Sequence, residues 1–361
     1  MKLGLGLYRQ MLTDENFRFA RQAGATHIVA HLTDYFRDSK IPASSSHGSG
    51  WGVSSPQPWT FKQFRDLKGA INRAGLELAA LENLEPAHWS DILLDGPRRG
   101  PQIEGLKRMI RDAGRAGIPS IGYYFSIAGV WGHSLAPRAR GDAESLCFDG
   151  GPEQTPIPNG MVWNMVYDPA APAGHIVPVT SEQMWQRLSA FLRELVPVAE
   201  EAGVKLAAHP DDPPMPGFRG ASRLIHQPDH YQRLLDLVPS ASNCMEFCIG
   251  TLAEMSEGDI YEVVDHYSRT GRIAYIHFRN VRGKVPNYVE TFLDEGDADM
   301  VRVMRILRRN GYDGVLIPDH TPRMTCDAPW HAGMAFALGF MRGILQTLAR
   351  EQAGSARSDV L

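Results

Sequence analysis

Cysteine is scarce. Cys147, Cys244, Cys248 and Cys326 are the only four in 361 residues, and no two stand in a Cys-x-x-Cys spacing. That speaks against a disulfide framework and for reduced thiols. A basic excess is missing too: 37 Lys and Arg stand against 41 Asp and Glu, a formal net charge of -4. Without a cationic surplus there is no electrostatic footprint for nucleic acid or for an anionic membrane surface. No uninterrupted apolar run reaches the ~18 residues that a bilayer-spanning helix needs. The opening stretch MKLGLGLYRQ lacks the apolar core and cleavage site of a secretory signal and reads as a first strand. The expectation is a cytoplasmic protein that binds neither nucleic acid nor membrane.

What is present is a core-forming composition, 43% hydrophobic and 22% charged, in a chain long enough to bury a large interior without staples. Short β-rich apolar runs recur eight times: Leu3–Leu7, Thr26–Ala30, Glu77–Leu81, Ile118–Phe125, Val204–Ala208, Ser242–Phe247, Ile273–Ile276 and Gly314–Ile317. Amphipathic segments alternate with them, at Asn16–Ala23, Thr60–Ala74, Pro101–Ala116, Gln183–Ala202, His230–Leu237, Ile260–Tyr267, Ala298–Asn310 and Pro329–Arg350. Most of the early ones stop at a glycine (Gly24, Gly75, Gly117, Gly203) just before the next strand, the punctuation of α/β units. Eight strands alternating with eight helices predict a (β/α)8 TIM barrel over residues 1–350 rather than an open doubly wound sheet. Two long insertions, about 34–59 and 127–180, are rich in Gly and Pro and follow the C-terminal ends of strands, where barrel active sites sit. Both are candidate lids. Residues 351–361 read as a flexible tail.

The strongest functional signal lies at consecutive strand ends. Strand five ends on His209, strand six on Cys248, strand seven on His277 and strand eight on Asp319. One such residue is usually a core side chain. Four in succession on the catalytic rim converge on a point and predict one divalent metal ion. By softness, two imidazoles, a thiolate and a carboxylate suit Zn2+, whereas Mn2+, Fe2+ or Co2+ would need more open, oxygen-rich coordination. Position on the rim, with room for water and substrate, argues for catalysis. After His209 the run Pro-Asp-Asp-Pro-Pro stiffens the loop and fixes Asp211 and Asp212 beside the metal, one of them placed to orient His209 through its second nitrogen.

The blocks PVAEEAGVKLAAHPDDPP, FCIGTL, IHFRNVRG and IPDH resemble those of the mannonate dehydratase family, within the xylose-isomerase-like barrels. The resemblance implies that His209, Cys248, His277 and Asp319 bind a divalent metal, commonly manganese. It also implies conversion of D-mannonate to 2-keto-3-deoxy-D-gluconate and water. His320, beside ligand Asp319, matches a family histidine and is the foremost acid/base candidate. Arg279, two residues beyond His277, points to the same side of an extended chain and is expected to pair with the substrate carboxylate. Tyr124, Asp211, Asp212 and Arg323 complete the substrate-binding candidates. The chain departs from the family pattern after PDH, where Thr321 replaces a glycine. Pro329-Trp330-His331 stands where the family has Pro-Gly-Tyr, which makes His331 a candidate replacement for a catalytic tyrosine. The segment IAGVWGHS also differs, and Glu290 remains without a neighbouring histidine.

Two enzyme readings follow. One is a metal-dependent sugar-acid dehydratase, a hydro-lyase; the other is an isomerase or epimerase on a neutral or modified sugar. Both begin with a proton removed beside a metal-bound oxygen, and they differ in whether a hydroxyl leaves. A third reading, a sugar-binding regulator without catalysis, is opposed by His320, His331 and the lid-like insertions. Exterior helices of barrels often pair, so a homo-oligomer is expected.

Overall fold

The computed structural model describes residues 1–38, 52–150 and 155–358. Eight parallel strands close a barrel in which sequence neighbours are spatial neighbours throughout. They are β1 (Lys2–Leu7), β2 (His27–His31), β3 (Glu77–Glu82), β4 (Ser120–Tyr123), β5 (Lys205–Ala208), β6 (Asn243–Cys248), β7 (Ile273–His277) and β8 (Val315–Ile317). All eight predicted strands are present. Register places the strand-end residues side by side: His31 opposite Glu82, Cys248 opposite His277, and His277 opposite Ile317.

The helices form where caps permit. Thr60 and Gln63 make a reciprocal capping box at the start of Phe61–Arg73, and Thr180 and Gln183 do the same for Ser181–Ala202. The latter stops at Gly203, whose φ of 66° is left-handed backbone that glycine adopts without a Cβ penalty. The main core lies between the strands and this helical layer. A smaller one, built from Val29, Ala80, Ala207, Tyr275, Val315 and Ile317, fills the barrel interior.

Two expectations change. The segment 127–180 carries strands Ser134–Ala139 and Ala143–Asp149, which join Asn280–Lys284 and Asn287–Thr291 in a four-stranded antiparallel sheet. Of the first insertion, residues 39–51 lie outside the described residues. The last helix runs Pro329–Ser358, past the predicted end at Arg350, because Glu351, Gln352 and Ala353 are good helix formers. Its stretch Pro329–Glu351 is also long and apolar enough, by length and composition alone, to cross a membrane. Here it supplies an outer barrel helix whose residues Met334, Ala337, Leu338, Met341, Ile344 and Leu348 are buried at helical spacing.

Candidate metal centre and active site

The loop after β5 fixes His209. Its Nδ1 lies 2.6 Å from the Pro210 carbonyl oxygen, an atom that only accepts, so Nδ1 is the donor and Nε2 is left for another partner. Asp212 does not orient this ring; the carbonyl does. The His209 ring sits 5.2 Å from that of His277. Cys248 caps the short helix Ile249–Glu254, its sulfur accepting from Thr251 N at 3.4 Å and from Thr251 Oγ1 at 3.2 Å. Burial opposes its ionisation. The Arg279 charge and the neighbouring His209 and His277 rings outweigh burial and bring the thiol down to about 5. Ligand atoms of His209, Cys248 and His277 all lie within 4.8 Å of one another.

Asp319 stands beside them, Oδ2 at 3.6 Å from His277 Nδ1. Burial would raise this carboxyl, but His320, His277 and Arg279 hold it well below the ordinary range. His277 Nδ1 is buried and has no hydrogen-bond partner. The carboxylates of Asp319, Glu82 and Glu246 raise its ring well above an ordinary imidazole in spite of burial. A thiolate, two imidazoles and a carboxylate around an orphaned ring nitrogen are a donor set suited to a divalent ion, which would take the place of the proton at Nδ1.

Glu82 and Glu246 were not anticipated from the sequence. With His277 they form a second buried group able to hold an ion, and both line the same cavity as His209 and His277. Burial and the Glu82 charge push Glu246 up, while His31 and His277 hold Glu82 at about 2 against burial. The signal was available: Glu246 lies two residues before Cys248 on the same strand face. His31 and Glu82 end β2 and β3 much as the candidate ligands lie at or just past the ends of β5 to β8.

Arg279 is 1% exposed. Its guanidinium meets Asp212 at 2.6 Å, Glu254 at 3.1 Å and Asp319 at 3.4 Å, and also bonds Glu290. It does not line the cavity. The expected contact with a substrate carboxylate is therefore replaced by a buried hub that holds four acidic side chains in place. Asp212 does reach the cavity wall, and its Oδ1 accepts from the Tyr288 hydroxyl at 3.0 Å. Asp211 faces away from the cavity. It accepts from the backbone N–H groups of Leu224 and Ile225 at 2.7 and 2.8 Å and pairs with Arg223 at 3.3 Å. Its role is to anchor the loop. Tyr124 lines the cavity, its hydroxyl accepting from Asp212 N at 3.0 Å and from Arg223.

His320 also lines the cavity, with Nδ1 3.1 Å from Glu290 Oε1 and Nε2 3.5 Å from Asp319 Oδ1. Burial lowers its proton affinity, but Asp319 and Glu290 raise it to about 9. His331 is elsewhere. It sits in the first turn of the last helix, packed edge-on against Phe19 at 4.7 Å and bonded through Nε2 to Asn16 Oδ1 at 3.0 Å. Packing against Asn16–Phe19 keeps it out of the cavity. Arg323 pairs with Glu144 at 3.6 Å, and the two residues form a backbone bridge. It straps the segment after β8 to the four-stranded sheet instead of lining the cavity. The remaining wall is largely aromatic, with Tyr8, Tyr35, Phe36 and Trp163, plus His31, Asn83 and His133.

A family model described as D-mannonate dehydratase (UxuA) matches residues 17–150 and 175–354. The mannonate dehydratase of Streptococcus suis (strain 05ZYH33) is 32% identical over 292 residues, covering 77% of this chain and 78% of its own. That of Thermotoga maritima is 29% identical over 297 residues, covering 76% and 81%. Among solved structures, mannonate dehydratase from Streptococcus suis serotype 2 superposes with a TM-score of 0.78 at 26% identity, covering 98% of this chain and 95% of that one. An L-ribulose 3-epimerase, at TM-score 0.58 and 17% identity over 98% and 97% of the two chains, shares the fold.

Proposed function

The chain belongs to the D-mannonate dehydratase family of hydro-lyases, and on that premise we propose that it removes water from a mannonate-like aldonic acid. The proposed centre holds one divalent ion on His209, Cys248, His277 and Asp319. The observation that carries the reading is the orphaned His277 Nδ1 among a thiolate, a second imidazole and a carboxylate, with His320 beside them on the cavity wall. When bound, the ion supplies Lewis-acid stabilisation of the charge that develops beside C2 as its proton leaves. Mn2+ is the ion we assign, by resemblance to the family, with Zn2+, Fe2+ and Co2+ as the competitors that a thiolate ligand admits.

The side chains divide the remaining work. His320, raised to about 9, is cationic at neutral pH and can hand a proton to the departing C3 hydroxyl. Glu290 and Asp319 hold that ring from both sides. Arg279 positions Asp319, Asp212 and Glu290 without touching substrate. The aromatic wall keeps water away from the acidic C2 centre. A base on the cavity wall takes the C2 proton, and the C3 hydroxyl leaves as water with the proton from His320; the enol left behind tautomerises to a 2-keto-3-deoxy acid.

Among the described residues the cavity wall has no Arg or Lys. That observation favours the second reading, isomerisation or epimerisation of a neutral or modified sugar. Incubation with a panel of aldonates and neutral sugars, with detection of 2-keto acid, separates them. Turnover of neutral sugars alone would overturn the dehydratase reading. The partner we propose is thus a small sugar acid; a cytoplasmic setting fits four free thiols, and a homo-oligomer is testable by size-exclusion chromatography.

A further inference from the structure

Behind the ligands, two carboxylates close on the far side of the His277 ring. Nε2 lies 3.0 Å from Glu246 Oε1 and 3.2 Å from Glu82 Oε2. The Tyr275 hydroxyl donates to Glu82 Oε2 at 3.3 Å, and His31 Nε2 stands 3.4 Å from Glu82 Oε1. Glu246 is 1% exposed and its Oε2 has no hydrogen-bond partner. Gly122 keeps the space open, because a Cβ there would overlap both Glu246 Oε2 and the Tyr275 hydroxyl. Burying two carboxylates costs several kcal/mol unless they are compensated, so the arrangement calls for a function.

The function follows from imidazole chemistry. A neutral ring has one N–H, and acceptors on the Nε2 side draw that hydrogen to Nε2. Nδ1 is then left with its lone pair, and Nδ1 is the buried atom without a partner that faces Asp319. Ligating histidines are commonly held through their second nitrogen in this way. Glu246 comes from the neighbouring strand β6 and Glu82 from β3 across the barrel, so the ring of a β7 residue is gripped by two other strands rather than by its own loop.

We propose that Glu82 and Glu246 are positioning residues that clamp His277 as its Nε2–H tautomer, turn Nδ1 to the metal, and thereby set the affinity of the centre for its ion. The inference rests on the metal reading above.

Metal-stripped protein titrated with Mn2+ against a chromogenic chelator tests it. His277→Ala is expected to lose binding by at least about 100-fold, as a missing ligand should. Glu246→Leu is expected to weaken binding by about 10- to 100-fold. Glu246→Gln, which keeps an acceptor without the charge, should fall between wild type and Glu246→Leu. A purely structural glutamate would lower the melting temperature of the metal-free protein. A clamp predicts that metal-free Glu246→Leu melts at or above wild type, since a buried carboxylate has gone. Wild-type affinity in Glu246→Leu, or a loss that merely tracks a lower metal-free melting temperature, overturns the clamp alone. Wild-type affinity in His277→Ala overturns the metal reading and the clamp with it.

Discussion

At the residue scale, His320 and Arg279 divide chemistry from support. His320→Asn is expected to keep its metal and lose about 100- to 10,000-fold in kcat, the usual contribution of a general acid. Metal analysis and steady-state rates on the same sample check both halves, and a rate within tenfold of wild type would move the role elsewhere. Arg279→Met leaves four acidic side chains around a missing cation. Removing one partner of a buried ion network costs about 3–5 kcal/mol. Denaturant unfolding of metal-free protein is expected to show that loss, and KM is expected not to rise selectively for acids. The four candidate ligands stood out because each closes or soon follows a strand with a residue able to bind metal. Glu82 and Glu246 carried a similar signal, at the end of β3 and two residues before Cys248, but its meaning became plain only once the closed barrel set both carboxylates against His277. His331 misled for the opposite reason: a sequence distance of eleven residues from His320 says nothing about which side of a helix start faces the cavity.

At the scale of elements, the barrel was legible from its punctuation. Apolar runs of strand length, with glycines closing the helices before β2 to β5, set the repeats, and every predicted helix boundary but the last moved by only a few residues. The four-stranded sheet was not legible. Its pairings join residues 134–149 to 280–291, Pro137 interrupts an edge strand, and two-residue turns in a Gly- and Pro-rich stretch leave no periodicity to find. The outer layer offers its own test. Asp265, in helix Ile260–Ser268, bonds Arg269 at 2.6 Å, Asn310 Nδ2 at 2.9 Å and Arg309, which ends the next helix. Hydrogen bonds from Arg269, Asn310 and Arg309 depress its pKa below the usual value. A depressed folded-state value means stability that is present above the unfolded value of about 3.9 and is lost as pH falls through the folded one. Asp265→Asn should therefore melt below wild type at pH 7. The gap should narrow progressively as pH falls below about 4; a gap as large at pH 2 as at pH 7 would contradict the linkage.

At the scale of the whole molecule, two segments far apart in the chain, 134–149 and 280–291, make one sheet. Ser145 bonds the Glu290 carbonyl, Tyr288 pairs with Phe148, and the strand Asn287–Thr291 carries Glu290 to His320 and Tyr288 to Asp212. Deleting 134–149 and bridging the ends with a short linker is expected to leave a folded barrel by circular dichroism. Turnover should fall at least as far as in His320→Asn, because the strand that carries Glu290 and Tyr288 loses its neighbour and the Ser145 bond to the Glu290 carbonyl.

The sheet also bears on descent. Strands Ala143–Asp149 and Asn287–Thr291 hydrogen-bond only because both segments are present. A recombination that carries one segment into another barrel leaves an unpaired edge, open to association with other chains. The two pieces therefore form one structural unit split across the gene. Because Leu146 brings that unit to the cavity wall, a change in either piece reaches the cavity through a partner more than a hundred residues away in the chain.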